Sequence, residues 1–347
     1  MEAGSDYASG TKFRAVVTDF KKPTIAELEL REIQDDELLI KVHSTPVHFA
    51  DQGYCRGLYG NKEDLPPPPS GVGFEGAGEI VKVGANIDSS LVGRKAAFTN
   101  SFTDEGYQGT FRQYIYLPHS RVIVYPEGCT TDYDVLSCAV ANPLTICGFI
   151  DYCQKNGHTS VIHDAASGAC GKLFLKACKK FGIKLINLVR KDEQVTMLNE
   201  MGADVTLNYS SEEFPGQLTE AINEHKPTAY FTALAGEVAA YVFGQMDRFT
   251  TLYIYGMLSM ENISLEPKNI LFKSQRVESF WLTVWLSSLT KEEVEKWNKT
   301  ILDDISKDEG TFSTPIGKIF KLEEVLDAMR HARKSGSEGK TILRAQE

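Results

Sequence analysis

Ala165-Ala166-Ser167-Gly168-Ala169-Cys170-Gly171 carries the clearest chemistry in this 347-residue sequence. A Gly-rich turn between a strand and a helix lets backbone N–H groups approach a pyrophosphate, and the helix N-terminus adds partial positive charge. The spacing here is A-x-x-G-x-x-G, a variant of G-x-G-x-x-G that is weak as a bare pattern. Its surroundings sharpen it. Residues 160–163 read as a strand, Leu173, Phe174, Ala177, Cys178 and Phe181 mark one face of a helix, and residues 184–189 read as a second strand. Ser167, Gly168, Ala169, Cys170 and Gly171 are therefore candidate cofactor-binding residues. Where an NAD enzyme generally places Asp or Glu for the ribose 2′-hydroxyl, this chain has Arg190 and Lys191. Two cations suit a 2′-phosphate, which an acidic residue would repel, so NADPH is preferred over NADH. The competing reading of the pair is a solvated basic turn.

A parallel sheet is the frame that presents such a turn, and from about residue 136 the sequence has that texture: short strands alternate with longer helical patterns. Further strands are expected near residues 204–207, 229–233, 251–255 and 277–281, and helices over the segment carrying Val195, Leu198 and Met201 and over residues 291–305. Before this region, short apolar runs such as 38–42 and 79–83 are separated by Gly, Pro and Asp clusters, an all-β texture. After it, residues 311–343 mix short strands with one helix over 322–332. The expected fold class is α/β. A β domain covers residues 1–134, a doubly wound nucleotide domain covers 135–306, and residues 307–347 return to the first domain.

Composition narrows the partners. Lys plus Arg minus Asp plus Glu is 37 − 47 = −10, without a long basic run, so a nucleic-acid surface has little support and a small-molecule substrate fits better. Seven cysteines, an odd number with no C-x-x-C pair, point to a reducing compartment. No apolar run approaches the ~20 residues needed to span a bilayer. The first ten residues look like neither signal nor transit peptide, which leaves a cytoplasmic location or, with a presequence already removed, a mitochondrial one.

Five segments in order resemble the zinc-free branch of the medium-chain dehydrogenase/reductases, which includes quinone reductases and mitochondrial 2-enoyl thioester reductases. They are Pro69-Ser70-Gly71-Val72-Gly73-Phe74-Glu75-Gly76-Ala77-Gly78, then Gly109-Thr110-Phe111, Asn142-Pro143-Leu144-Thr145, the 165–171 turn, and residues 272–285. The resemblance implies a GroES-like β domain interrupted by a Rossmann domain. Zinc-dependent members carry a ligand His in a G-H-E motif where this chain has Phe74, a ligand Cys without counterpart near His48 to Asp51, and a four-Cys loop that is absent here. Phe offers no lone pair, so no metal is expected, and His43, His48 and His163 read as structural or surface residues.

Further roles come by the same resemblance. Arg56-Gly57-Leu58-Tyr59-Gly60 is similar to the enoyl reductase segment ending in G-x-Y-G, which makes Tyr59 the catalytic candidate. A phenol can donate to the enolate, or protonate the α-carbon, after hydride reaches the β-carbon of an enone or enoyl thioester. Packing under a loop is the alternative for that ring. His48 stands where this branch commonly has Asn. Thr145 would face the nicotinamide, Phe280 and Leu282 lie on the segment whose backbone pairs with the carboxamide, and Gly256 lies where close approach to the cofactor is expected. Asn142 would instead cap a helix beginning at Pro143. Lys340 is a candidate for the cofactor phosphates and equally for a solvated lysine. The implied activity is NADPH-dependent reduction of an electron-poor C=C bond in an enoyl thioester, enone or quinone, by a homodimer paired through edge strands. The alternative is an inactive member serving as an NADPH-binding structural subunit of a larger assembly.

Overall fold

The computed structural model describes residues 7–103, 106–305 and 310–346. The chain forms two compact units, Met1–Ala141 with Asn298–Glu347, and Asn142–Trp297.

The first unit runs through β1 (Lys12–Thr18), β2 (Pro23–Glu29), β3 (Glu37–Pro46), α1 (Phe49–Tyr54), β4 (Ser70–Gly71), β5 (Glu75–Val83), β6 (Lys95–Thr99), β7 (Tyr114–Pro118), β8 (Val122–Val124) and α2 (Tyr133–Ser137). Helix α3 (Ala141–Asn156) then begins two residues before Pro143, so Asn142 lies inside the helix and does not cap it. The reason is a distant cap: the Glu75 carboxylate accepts from the Ala141 N–H at 2.7 Å, a partner that local sequence cannot show.

The second unit continues with β9 (Ser160–His163), α4 (Ala169–Phe181), β10 (Lys184–Val189), α5 (Asp192–Glu200), β11 (Val205–Asn208), α6 (Phe214–His225), β12 (Ala229–Thr232), α7 (Gly236–Gln245), β13 (Thr251–Ile254), α8 (Pro267–Lys273), β14 (Arg276–Ser279) and α9 (Leu282–Ser288). Its six strands are parallel in the order β11-β10-β9-β12-β13-β14. Helices on both faces explain why β9 and β12 are buried at every position. Ile162, Ile186, Leu188, Tyr230 and Leu252 from the strands meet Leu218, Val242 and Phe243 from the helices in one core. Strand β14 stops at Ser279, short of the expected Trp281, and α9 follows at once. Trp285 drives that change, because its ring is buried on a helical turn with its indole N–H donating to Asp151 Oδ2 at 2.9 Å.

The chain passes back to the first unit within helix α10 (Lys291–Ile305), at Asn298, and that unit then adds β15 (Ile316–Lys321), α11 (Val325–Lys334) and β16 (Lys340–Arg344). The segment expected as one helix over 322–332 opens as a 3₁₀ turn at Leu322–Glu324 before α11. Seven strands make the main sheet of this unit, in the order β15-β16-β3-β5-β6-β8 with β7 also on β3, and β2-β1-β4 make a smaller one. Val16, Val47, Val72, Phe111, Phe320 and Leu343 share one of its cores.

Candidate active site

In the second unit, β9 is the switch point of the sheet, since its neighbours β10 and β12 lead to opposite edges. The turn after it bends at Ala165, φ 50°, where a side chain costs roughly 1–2 kcal/mol. Ala166 N–H donates to Leu188 O at 3.2 Å and Gly168 N–H to Ala165 O at 3.0 Å, which fixes the loop against β10. Gly168 is the N-cap of α4 and makes no side-chain cap, so the start of this helix offers the backbone geometry and partial positive charge that suit an anion. A Cβ at Gly171 would lie 2.3 Å from Ala166 O, so the close packing of α4 on the turn requires glycine. Ser167 is buried in the same loop.

Beneath the turn lies a polar layer that sequence reasoning missed. Asp164 is fully buried and accepts from Tyr230 Oη at 2.6 Å, Ala233 N at 2.7 Å, Leu234 N at 3.1 Å and the Thr232 hydroxyl. Burial pushes its carboxyl up, and these four donors oppose the shift. It thereby ties the turn to the loop after β12, where Ala235 adopts φ 60°, ψ −151°, a conformation nearly reserved for glycine. The sequence signal was an acid directly after an apolar strand. Beside it, His163 Nε2 bonds Tyr255 Oη at 2.7 Å, and Tyr255 in turn bonds Cys170 at the start of α4. Burial holds His163 neutral, pushed down to about 3.

Arg190 and Lys191 are exposed at the end of β10. Gln194 Oε1 accepts from both of their backbone N–H groups, at 3.1 and 3.2 Å, and so caps α5 without engaging either cationic head. Tyr209, which sequence reasoning also missed, is close enough to Arg190 that its phenol, pushed up by burial, is partly held down by that charge. A Cβ at Gly256 would lie 2.9 Å from Ala233 O, so the backbone after β13 runs close to the loop that Asp164 organises. Thr145 is half-buried on α3. Phe280 lies outside β14 with its ring in the notch at Gly148, where a Cβ would lie 2.4 Å from Phe280 Cζ, and its N–H bonds Ile254 O at 2.9 Å. Leu282 is the first residue of α9 rather than part of a strand.

In the first unit, Tyr59 follows α1 within an aromatic cluster, its ring centroid 5.6 Å from Phe74 and 5.9 Å from Phe102. Gly60 (φ 92°) turns the chain immediately afterwards, and a Cβ there would lie 2.7 Å from Phe102 Cζ. The other hydroxyls of the cluster are engaged: Tyr54 Oη with Ser70 Oγ at 2.6 Å, and Tyr107 Oη donating to Gly73 O at 3.2 Å. The Tyr59 hydroxyl has no hydrogen-bond partner among the described residues. Burial, with Asp51 adding to it, pushes its phenol up, so it stays protonated. Lys340 is not a solvated lysine. It is 9 % exposed, and its Nζ donates to His48 Nδ1 at 3.0 Å, while His48 Nε2 donates to Glu75 Oε1 at 2.7 Å. Phe74 packs against Tyr54 and Tyr59, and no group of three or more His, Cys, Asp or Glu among the described residues is arranged to hold a metal ion.

Comparison with known proteins agrees with both units. Residues 34–127 match the alcohol dehydrogenase GroES-like domain, and residues 169–299 match the family described as zinc-binding dehydrogenase. The mitochondrial enoyl-[acyl-carrier-protein] reductase of Arabidopsis thaliana is 25 % identical over 74 % of this chain and 67 % of its own length. Quinone oxidoreductase-like protein 2 of Rattus norvegicus is 26 % identical over 95 % and 91 %. Among solved structures, the quinone oxidoreductase of Pseudomonas syringae superposes with a TM-score of 0.78 at 18 % identity, covering 96 % of this chain and 99 % of the other. Etr1p, solved with NADP and crotonyl-CoA, gives 0.76 at 19 % identity, covering 96 % and 100 %. The GroES-like domain, the Rossmann sheet and the Gly turn between β9 and α4 place the chain in the medium-chain dehydrogenase/reductase superfamily. Within it, the relationship is to the quinone and enoyl thioester reductases.

Proposed function

We propose that the protein is an NADPH-dependent reductase acting on an electron-poor C=C bond of an enoyl thioester, enone or quinone, with Tyr59 as its acid and without zinc. The observation that carries this reading is the unspent Tyr59 hydroxyl in a cluster whose neighbouring hydroxyls are all committed. The residues present fit the cofactor. The uncapped start of α4 suits the pyrophosphate, the glycine at 171 keeps α4 close to the turn, and Arg190, Lys191 and the nearby Tyr209 suit a 2′-phosphate. NADPH held there would supply a hydride to the β-carbon. Tyr59 would then donate to the developing enolate oxygen or protonate the α-carbon, and a phenol kept protonated by burial is suited to that task. Both thioester and quinone reductases occur among the relatives, and the mitochondrial names of several favour that organelle.

The test is NADPH oxidation with a 2-enoyl thioester, an enone and a quinone. Tyr59→Phe should lower kcat by about 10²-fold or more while NADPH affinity is retained. Tight NADPH binding with no turnover of any substrate would replace this reading with that of a structural subunit.

A homodimer is part of the proposal. All four residues of β14 are exposed, the strand pairs among the described residues only with β13, and Val277 within it and Trp281 and Val284 after it are 41, 44 and 57 % exposed. Two-fold pairing of these edges would cover them. Val277→Lys should shift the mass measured by light scattering from dimer to monomer.

A further inference from the structure

We infer that Asp51 is a positioning residue for Tyr59, and that its ionisation sets the alkaline limit of the reaction. The inference rests on Tyr59 being the acid of the proposed reductase.

Asp51 is the third residue of α1 and is fully buried. Its Oδ2 accepts from the backbone N–H of His48 at 2.6 Å, whereas Oδ1 has no hydrogen-bond partner among the described residues. A buried carboxylate normally recruits donors for both oxygens; one held by a single backbone N–H is far better accommodated as the neutral acid. The groups around it reinforce this. Glu75 faces it from β5, Lys340 from β16, His48 from the start of α1, and Cys55, Tyr59 and Tyr107 from the aromatic side. Lys340 is the cation of that set, and its Nζ donates to His48 Nδ1, whose ring in turn bonds Glu75. Burial and the charge of Lys340 keep His48 neutral, so it carries no second positive charge. An ionised Asp51 would therefore be a second buried anion beside Glu75 with one cation to share. Burial pushes the Asp51 carboxyl up to about 8; Glu75 adds to the rise, and the His48 N–H and Lys340 oppose it.

Tyr59 feels the result. A negative Asp51 raises the phenol further and opposes the negative charge that Tyr59 acquires as it gives up its proton. Neutral Asp51 leaves the phenol the stronger acid. The active form is thus the one with Asp51 protonated, and activity falls as pH rises through its ionisation.

Two measurements test this. The pH profile of kcat, each protein normalised to its own value at about pH 6.5, should fall about tenfold above about pH 8 in the parent enzyme. That limb should be absent in Asp51→Asn, which keeps an oxygen for the His48 N–H. Should Asp51→Asn fail to fold, Lys340→Met serves instead: loss of the opposing cation should move the limb to higher pH. Separately, infrared difference spectra should show a protonated carboxyl at neutral pH that is lost with a midpoint of about 8 and is missing from Asp51→Asn. This second readout needs no turnover. An unchanged limb in Asp51→Asn, an unmoved limb in Lys340→Met, or no carboxyl signal removed by the substitution overturns the inference while Tyr59 keeps its role. Full turnover by Tyr59→Phe overturns both, whatever the infrared titration shows.

Discussion

Arg190 and Ala165 show how much a single residue's surroundings decide. The Arg190 guanidinium is exposed at a strand end with its backbone N–H, not its head group, bound by Gln194. Arg190→Ala should therefore leave folding stability within about 0.5 kcal/mol. It should weaken NADPH binding by about tenfold or more and NADH binding little, measured by fluorescence titration with each nucleotide. Ala165 is the reverse case, a residue under strain at φ 50° in the phosphate turn. Ala165→Gly removes the Cβ that this conformation penalises, at some cost in unfolded-chain entropy. The expected net gain is about 0.5–1 kcal/mol in urea unfolding. Neither outcome is legible from residue type alone, since an Arg after a strand and an Ala in a turn are ordinary until their backbone angles and partners are known.

At the scale of elements, the join between β9 and α4 is the part most tightly specified. A Cβ on Gly171 would lie so close to the Ala166 carbonyl oxygen that Gly171→Ala must move α4 off the turn. A loss of about 1–3 kcal/mol in stability should accompany a drop of at least about tenfold in NADPH affinity, checked by thermal unfolding and titration on the same sample. This join was readable in advance because strand, Gly spacing and amphipathic helix are all local patterns. The element boundaries that shifted each had a non-local cause. Glu75, far away in sequence, satisfies the start of α3, and Asp151 holds Trp285 in the helix that follows the shortened β14.

For the whole molecule, buried groups of unusual protonation link stability to pH. His163 is neutral in the fold with its ionisation pushed down to about 3, whereas the unfolded chain protonates it near 6.5. The unfolded state then binds more protons between these values, so this contribution is present above about 6.5 and is lost as pH falls towards 3, at up to about 1.4 kcal/mol per pH unit. Wild type should lose stability faster than His163→Gln between pH 6.5 and 5, in urea unfolding at fixed ionic strength. Asp51 acts in the opposite sense, because its raised ionisation gives stability that declines as pH rises from about 4 to about 8. The sequence by itself determined the two textures, the Gly turn, the basic pair after β10 and the tyrosine before Gly60, because each is a pattern of neighbours along the chain. The tertiary structure alone decided that Asp164 braces the turn, that Lys340 lies inside against His48, and that Asp51 is buried with one oxygen unpartnered. Those properties depend on which groups the fold brings within hydrogen-bond reach and how much water it excludes, and neither is encoded in local spacing.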